Sequence, residues 1–224
     1  MDIFTFFTYY YDTLFWETIR HIEIILYSIP FAVVFGVTTG FLIANRPRLS
    51  RVVITIAGII MTIPSLALFG IMVVLLAPVN LGLGITPAVF AITIYSLLPI
   101  IRNTSTALNE VNPAIIEAAR GMGLSPLQIL LKIKAPLSIP VIMAGIRNAM
   151  VLGVSVATFA FLVAAGGMGY FIFSGISRSN LPMVLTGALI ISILGISINY
   201  ALMRLERLIT PRGLTMETQK GTPS

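Results

Sequence analysis

Long runs without a single charge, separated by short basic clusters, organise this chain. Ile24 to Asn45, Val52 to Ile101, Asn148 to Ser177 and Ser179 to Met203 hold no Asp, Glu, Lys or Arg. Crossing about 30 Å of hydrocarbon as a helix takes about 20 apolar residues. The first run therefore suits one crossing and the second suits two. The break in the second is the turn-forming stretch Ala77-Pro78-Val79-Asn80-Leu81-Gly82-Leu83-Gly84. The last two runs each supply one more crossing. The pattern predicts five spans, at about 24–45, 53–76, 86–101, 142–164 and 183–203.

Composition narrows the class. The 224 residues are 57% hydrophobic and only 10% charged, against about 45–50% and about 25% in soluble domains. Too few charges exist to coat a soluble surface, so a soluble enzyme, a disordered chain and a fibrous protein are excluded. The net charge of +6 does not indicate nucleic acid, because the basic residues sit between apolar runs, as membrane proteins arrange them. The absence of cysteine removes disulfides, thiolate metal sites and a Cys nucleophile. With the amino terminus outside, the inner side receives Arg46, Arg48 and Arg51, then Arg102, Arg120, Lys132 and Lys134, then Arg204, Arg207, Arg212 and Lys220. Only Arg20 and Arg178 fall outside, and Arg147 lies near the start of span four. The excess of basic residues inside predicts an amino terminus outside and a carboxyl terminus in the cytoplasm. No secretory leader is expected from the first residues. Their aromatics (Phe4, Phe6, Phe7, Tyr9, Tyr10, Tyr11, Phe15 and Trp16) suit a short helix lying at headgroup depth in contact with lipid, or else a surface for a partner. Residues 215–224 are expected to form a flexible tail.

One connection is too long and too ordered to be a linker, the segment from about 103 to 140. Asn112-Pro113 is a helix start, with Asn as cap and Pro where a missing N–H costs nothing. Ala114 to Arg120 follows with strong helix formers, and Glu117 and Arg120 fall three apart. Gly121 and Gly123 are expected to end that helix with positive φ. Ser125-Pro126 then caps a second helix, Leu127 to about Ile133, and span four is expected to start near Pro140. An amphipathic hairpin lying under the bilayer would satisfy the spacing alone.

The whole string is more specific. Glu117-Ala118-Ala119, three residues, Gly123, nine residues, Ile133, two residues and Pro136 resembles the cytoplasmic loop of permease subunits of ATP-binding-cassette importers. That family's pattern ends in Ile-x-Leu-Pro, and Ala135 here replaces the Leu. The resemblance implies that the first short helix is a coupling helix set in a cleft of the ATPase, with Glu117, Ala118, Ala119, Gly121, Gly123 and Leu124 as the contact residues. Small side chains would let the partner approach closely, and Glu117 would supply one fixed charge. Ile85-Thr86-Pro87-Ala88, Leu98 to Thr104, Met143 to Arg147, Gly166-Gly167-Met168-Gly169, Glu206-Arg207 and Thr210 to Leu214 are similar to permeases for glycine betaine, choline and carnitine. The resemblance implies one transmembrane domain over 1–220, all-α, with a five-span core of the methionine-importer type. It also implies a bacterial inner-membrane location, a second permease chain (identical or related) and an extracytoplasmic binding protein. Another small solute, such as an amino acid, is the alternative cargo.

No G-x-x-x-x-G-K-[ST] string occurs, so ATP and magnesium are expected on a separate ATPase and no cofactor in this chain; the chain is not expected to be an enzyme. One His and no Cys leave no evident metal site, and His21 is expected to be an interfacial side chain. The five spans lack Asp and Glu, which disfavours a proton- or ion-coupled secondary transporter; a membrane enzyme would need a clustered acid, base or metal site. Arg147 either snorkels to the headgroups or faces the bundle, pairing with a carbonyl or with a carboxylate such as Glu110. Candidate gating or packing positions are Pro30, Pro64, and the small-xxx-small pair Gly36 and Gly40. Gly166, Gly167 and Gly169 would let the chain re-enter as a short helix, Tyr170 to Ile176.

Overall fold

A computed structural model describes residues 7–210, and among these the fold is helices, turns and no strand. The helical residues 7–9 end in a bend at Tyr10. From there α1, Tyr11–Ala44, runs for 34 residues without interruption, about 50 Å at 1.5 Å per residue, well beyond a hydrocarbon core. Tyr11, Phe15 and Trp16 therefore ride on the first span itself rather than on a separate surface helix. Phe4, Phe6 and the expected tail lie outside the described residues.

The second expected span is broken. Helices α2, Pro47–Thr62, and α3, Ser65–Leu76, meet at Ile63-Pro64 with a bend of 98°. Pro64 cannot donate to a preceding carbonyl, and the backbone at Ile63 is extended (ψ 126°). A short 3₁₀ turn, Ala77–Val79, and left-handed Asn80 (φ 59°) lead into Gly84 (φ 91°). This turn is where the charge-free run was expected to break.

Helix α4, Ile85–Asn109, lies at the centre and packs most closely on α1 and on α7, Ala135–Val156. Ile24, Ile25, Ile29, Phe69, Ala88, Ala91, Ile92 and Val154 form the main core. At the end of the bundle reached by α4, the chain forms α5, Pro113–Gly121, and α6, Pro126–Ile129. A π-helical stretch, Leu130–Lys134, then joins α6 directly to α7, giving a single rod over Pro126–Val163. Span four has no loop before it, contrary to the start expected near Pro140. At the opposite end Ala157–Val163 tightens to 3₁₀, and α8, Gly169–Ser177, is the short re-entering helix. Helix α9, Leu181–Ile209, completes the four helices long and apolar enough to cross a membrane, and the bent α2–α3 pair, counted as one broken span, brings the number to five.

Candidate functional site

The first candidate surface is built at the α5 end from local signals. Asn112 caps α5, its Oδ1 accepting the Ala114 N–H at 3.0 Å. The turn that ends α5 places Gly123 at φ +80°, with its N–H on the Arg120 carbonyl (2.9 Å) and that of Leu124 on Ala119 (3.2 Å). Gly121, also expected to turn, is simply the last helical residue and has no positive φ. Ser125 then closes a capping box: its Oγ accepts the Gln128 N–H at 3.3 Å, and its own N–H donates to Gln128 Oε1 at 2.8 Å. Two orphan donors at the start of α6 are thereby satisfied.

Of the six expected contact residues, Glu117, Ala118, Gly121 and Gly123 are exposed, Leu124 is half-buried and Ala119 is buried under the turn. Glu117 and Arg120 do not form an ion pair among the described residues. The face also carries apolar side chains in the open: Ile115, Met122 (71% exposed) and Leu127 (64%). Apolar area, one carboxylate and low side chains together make a surface suited to a protein partner.

The second cluster lies at the opposite end, and only its glycines stand out in the sequence. Three residues on one face of α1 hold the loop that follows the 3₁₀ segment. Glu17 Oε2 accepts the Gly167 N–H at 2.6 Å, and Arg20 Nε donates to the Ala165 carbonyl at 2.9 Å while pairing with Glu23 at 2.6 Å. His21 Nε2 lies 3.1 Å from the Val154 carbonyl, and its Nδ1 accepts the Met168 N–H at 3.3 Å. One donating and one accepting nitrogen match the neutral imidazole. His21 is fully buried, which corrects the interfacial side chain expected for it. Glu17, Arg20 and His21 lie 145–150 positions from their partners in the loop. The only signal for them was their i, i+3, i+4 spacing on one helix face.

The loop they hold needs unusual backbone: Ala164, Gly166 and Gly167 have φ of 62°, 80° and 93°. Gly169 is helical, yet a Cβ there would collide with the Thr158 carbonyl. Closer to the middle, a Cβ on Gly36 would meet Ile100 Cγ2 at 2.7 Å and one on Gly40 would meet Thr104 Cβ at 2.5 Å. These glycines let α1 and α4 touch. Pro30 lies inside an unbroken α1, whereas Pro64 sits at the break. Arg147 pairs with a carboxylate, though not that of Glu110: its guanidinium donates to Glu206 Oε2 at 2.9 Å, tying α7 to α9. Both side chains are nearly three-quarters or more covered.

Comparison with known proteins fits this geometry. The family model described as "Binding-protein-dependent transport system inner membrane component" matches residues 32–213. The osmoprotectant import permease protein OsmW of Salmonella typhimurium (strain LT2) is 40% identical over 88% of this chain and 92% of its own. The carnitine transport permease protein OpuCB of Listeria monocytogenes is 36% identical, covering 92% of each chain. The choline transport system permease protein OpuBB of Bacillus subtilis (strain 168) is 36% identical over 90% of each. A chain of the MetNI methionine ABC transporter, solved in an inward-facing conformation, superposes with a TM-score of 0.79 at 26% identity. The match covers 92% of this chain and 98% of that one.

Proposed function

This chain belongs to the binding-protein-dependent transport system inner membrane components, a family of multi-pass permeases, and from that premise we propose its cargo, its partners and its orientation. It is a permease subunit of an ATP-driven importer, and its cargo is a quaternary ammonium osmoprotectant of the glycine betaine, choline or carnitine kind. The names of three relatives that align over most of their length support that cargo. ATP is hydrolysed on separate ATPase subunits seated on α5. A second permease chain completes the path, and a binding protein delivers the solute at the opposite end. The amino terminus lies outside and the carboxyl terminus in the cytoplasm, which places Arg46, Arg48, Arg51, Arg120, Lys132 and Lys134 inside, as the distribution of positive charge favours.

The observation that carries this reading is the capped α5 with exposed Glu117 and Ala118, followed by Gly123 in the left-handed region. On ATP binding the ATPase pair closes and moves α5, and the spans rock between inward and outward openings; the chain itself makes and breaks no covalent bond. Uptake of labelled glycine betaine, choline and carnitine by cells expressing the whole complex tests it, at low and high osmolarity. Wild type is compared with Gly123→Asp and with a hydrolysis-dead ATPase. Uptake of one solute, lost in both controls, is the expected result. Uptake that persists with the dead ATPase overturns the importer. Absence of uptake for all three solutes, with ATPase still co-purifying, removes the osmoprotectant assignment and leaves amino acids as the next cargo to test. Orientation is read separately from Arg48→Cys, an exposed position in a cysteine-free chain; a thiol reagent that cannot cross the membrane should label it only from the cytoplasmic side, and labelling from outside inverts the topology.

A further inference from the structure

Between α5, the end of α1 and the rod that begins at Pro126 lies a cleft of about 600 Å³, walled by Asn45, Ile116, Arg120, Ile129, Leu130 and Lys134. Two cations converge there and no carboxylate lines it. Arg120 makes neither an ion pair nor a side-chain hydrogen bond among the described residues, and Lys134 Nζ reaches only Asn45 Oδ1, at 3.2 Å. Two like charges sharing one cleft repel each other, and a bound anion removes that cost.

The cleft's depth and lining identify the anion. Asn45 is the residue at which the charge-free run of α1 ends, so the cleft sits at the polar edge of the membrane. Ile116, Ile129 and Leu130 give it apolar walls beside the two cations, an amphipathic lining that suits a glycerol backbone next to a phosphate. Basic pockets between spans take anionic headgroups. We infer that the headgroup phosphate of an anionic phospholipid sits between Arg120 and Lys134 and tethers α5, through Asn45, to α1 and α7. Ile116 and Arg120, four apart, hold the lipid, while Glu117, Ala118 and Gly121 stay free for a protein. The tether would make the position of the docking helix depend on membrane composition.

The test uses the assembled permease–ATPase complex in nanodiscs of phosphatidylcholine with graded phosphatidylglycerol. Native mass spectrometry counts the phosphatidylglycerol retained, a readout independent of which solute is carried. The double variant Arg120→Gln/Lys134→Gln should need about thirtyfold more phosphatidylglycerol for the same retention, on the order of 1 kcal/mol for each cation withdrawn from the headgroup. The charge-matched control Arg48→Gln/Arg51→Gln removes two exposed cations from the same end without touching the cleft, and should lose much less lipid than the cleft variant. The conservative variant Arg120→Lys should also retain it, which separates lost charge from lost folding. Equal retention by the cleft variant and wild type overturns the proposal, and so does equal loss in the control. Loss of the ATPase from the cleft variant with lipid still held would make the cleft a protein contact instead. Inorganic phosphate that displaces the retained lipid would make it a site for a soluble anion.

Discussion

Arg147 and Glu206 lie 59 positions apart and meet at 2.9 Å, with 27% and 21% of their side chains exposed. A charge held this far from water is costly without its partner. Either single neutralisation, Arg147→Gln or Glu206→Gln, should lower the thermal midpoint of the purified protein. The double variant Arg147→Gln/Glu206→Gln should lose less than the sum of the two single losses, with a coupling of about 0.5–3 kcal/mol in the double-mutant cycle. Additive losses would mean the pair contributes nothing beyond its members. The same scale decides Gly40, where a Cβ would stand 2.5 Å from Thr104. Gly40→Val should destabilise by about 1–3 kcal/mol through overpacking of α1 against α4. Gly70, with nothing within 4 Å of its absent Cβ, should tolerate Ala, and melting of the two variants side by side checks both. Gly123 differs from either: its Cβ would meet nothing within 4 Å, so Gly123→Ala should cost about 1–2 kcal/mol through the left-handed backbone alone. A larger loss of ATPase co-purification than of stability would then report on the docking surface.

Helices whose ends are written in neighbouring residues are legible in the sequence itself. Asn112-Pro113 and Ser125-Pro126 are caps whose partners lie two and three positions on, so the hairpin of α5 and α6 can be read from a short window. The long rod cannot. Pro140 reads as the start of a span, yet it lies inside α7, and Pro136 before it follows the π turn Leu130–Lys134, whose wider hydrogen-bonding pattern accommodates a residue with no N–H to give. Pro64 marks a distortion, but nothing local fixes the 98° between α2 and α3. The contacts of Glu17, Arg20 and His21 are hidden for another reason: they join α1 to a loop far along the chain, and a charge near an apolar run looks interfacial until its partner is placed. These three residues make a prediction at the scale of the element. Glu17→Gln weakens the acceptor of the Gly167 N–H, and His21→Leu removes an acceptor and a donor that are both buried. Leaving the Met168 N–H and Val154 carbonyl unsatisfied should cost about 1–3 kcal/mol each. Amide exchange at 164–168 should accelerate in His21→Leu while the α5 end keeps its protection. Faster exchange throughout the chain would mean that the residue supports the whole core.

The two ends of the molecule are joined by one continuous element. From the turn at Gly123 the chain enters a helix that runs over Pro126–Val163 and delivers the backbone straight to the 164–168 loop clasped by α1. A push on α5 would therefore pass to the opposite end along a rod packed on the central α4. Such transmission needs stiffness in the stretch that connects docking surface to span. Leu131 and Lys132 are exposed there and support no core, so Leu131→Gly/Lys132→Gly softens the rod at a cost of about 1 kcal/mol per residue without emptying the interior. The expected phenotype is a split: ATPase still co-purifies and hydrolyses ATP, while solute uptake falls several-fold. Unchanged uptake would show that motion passes through α4 or α9 instead. Loss of the ATPase itself would show that the stretch positions α5 rather than carries its movement.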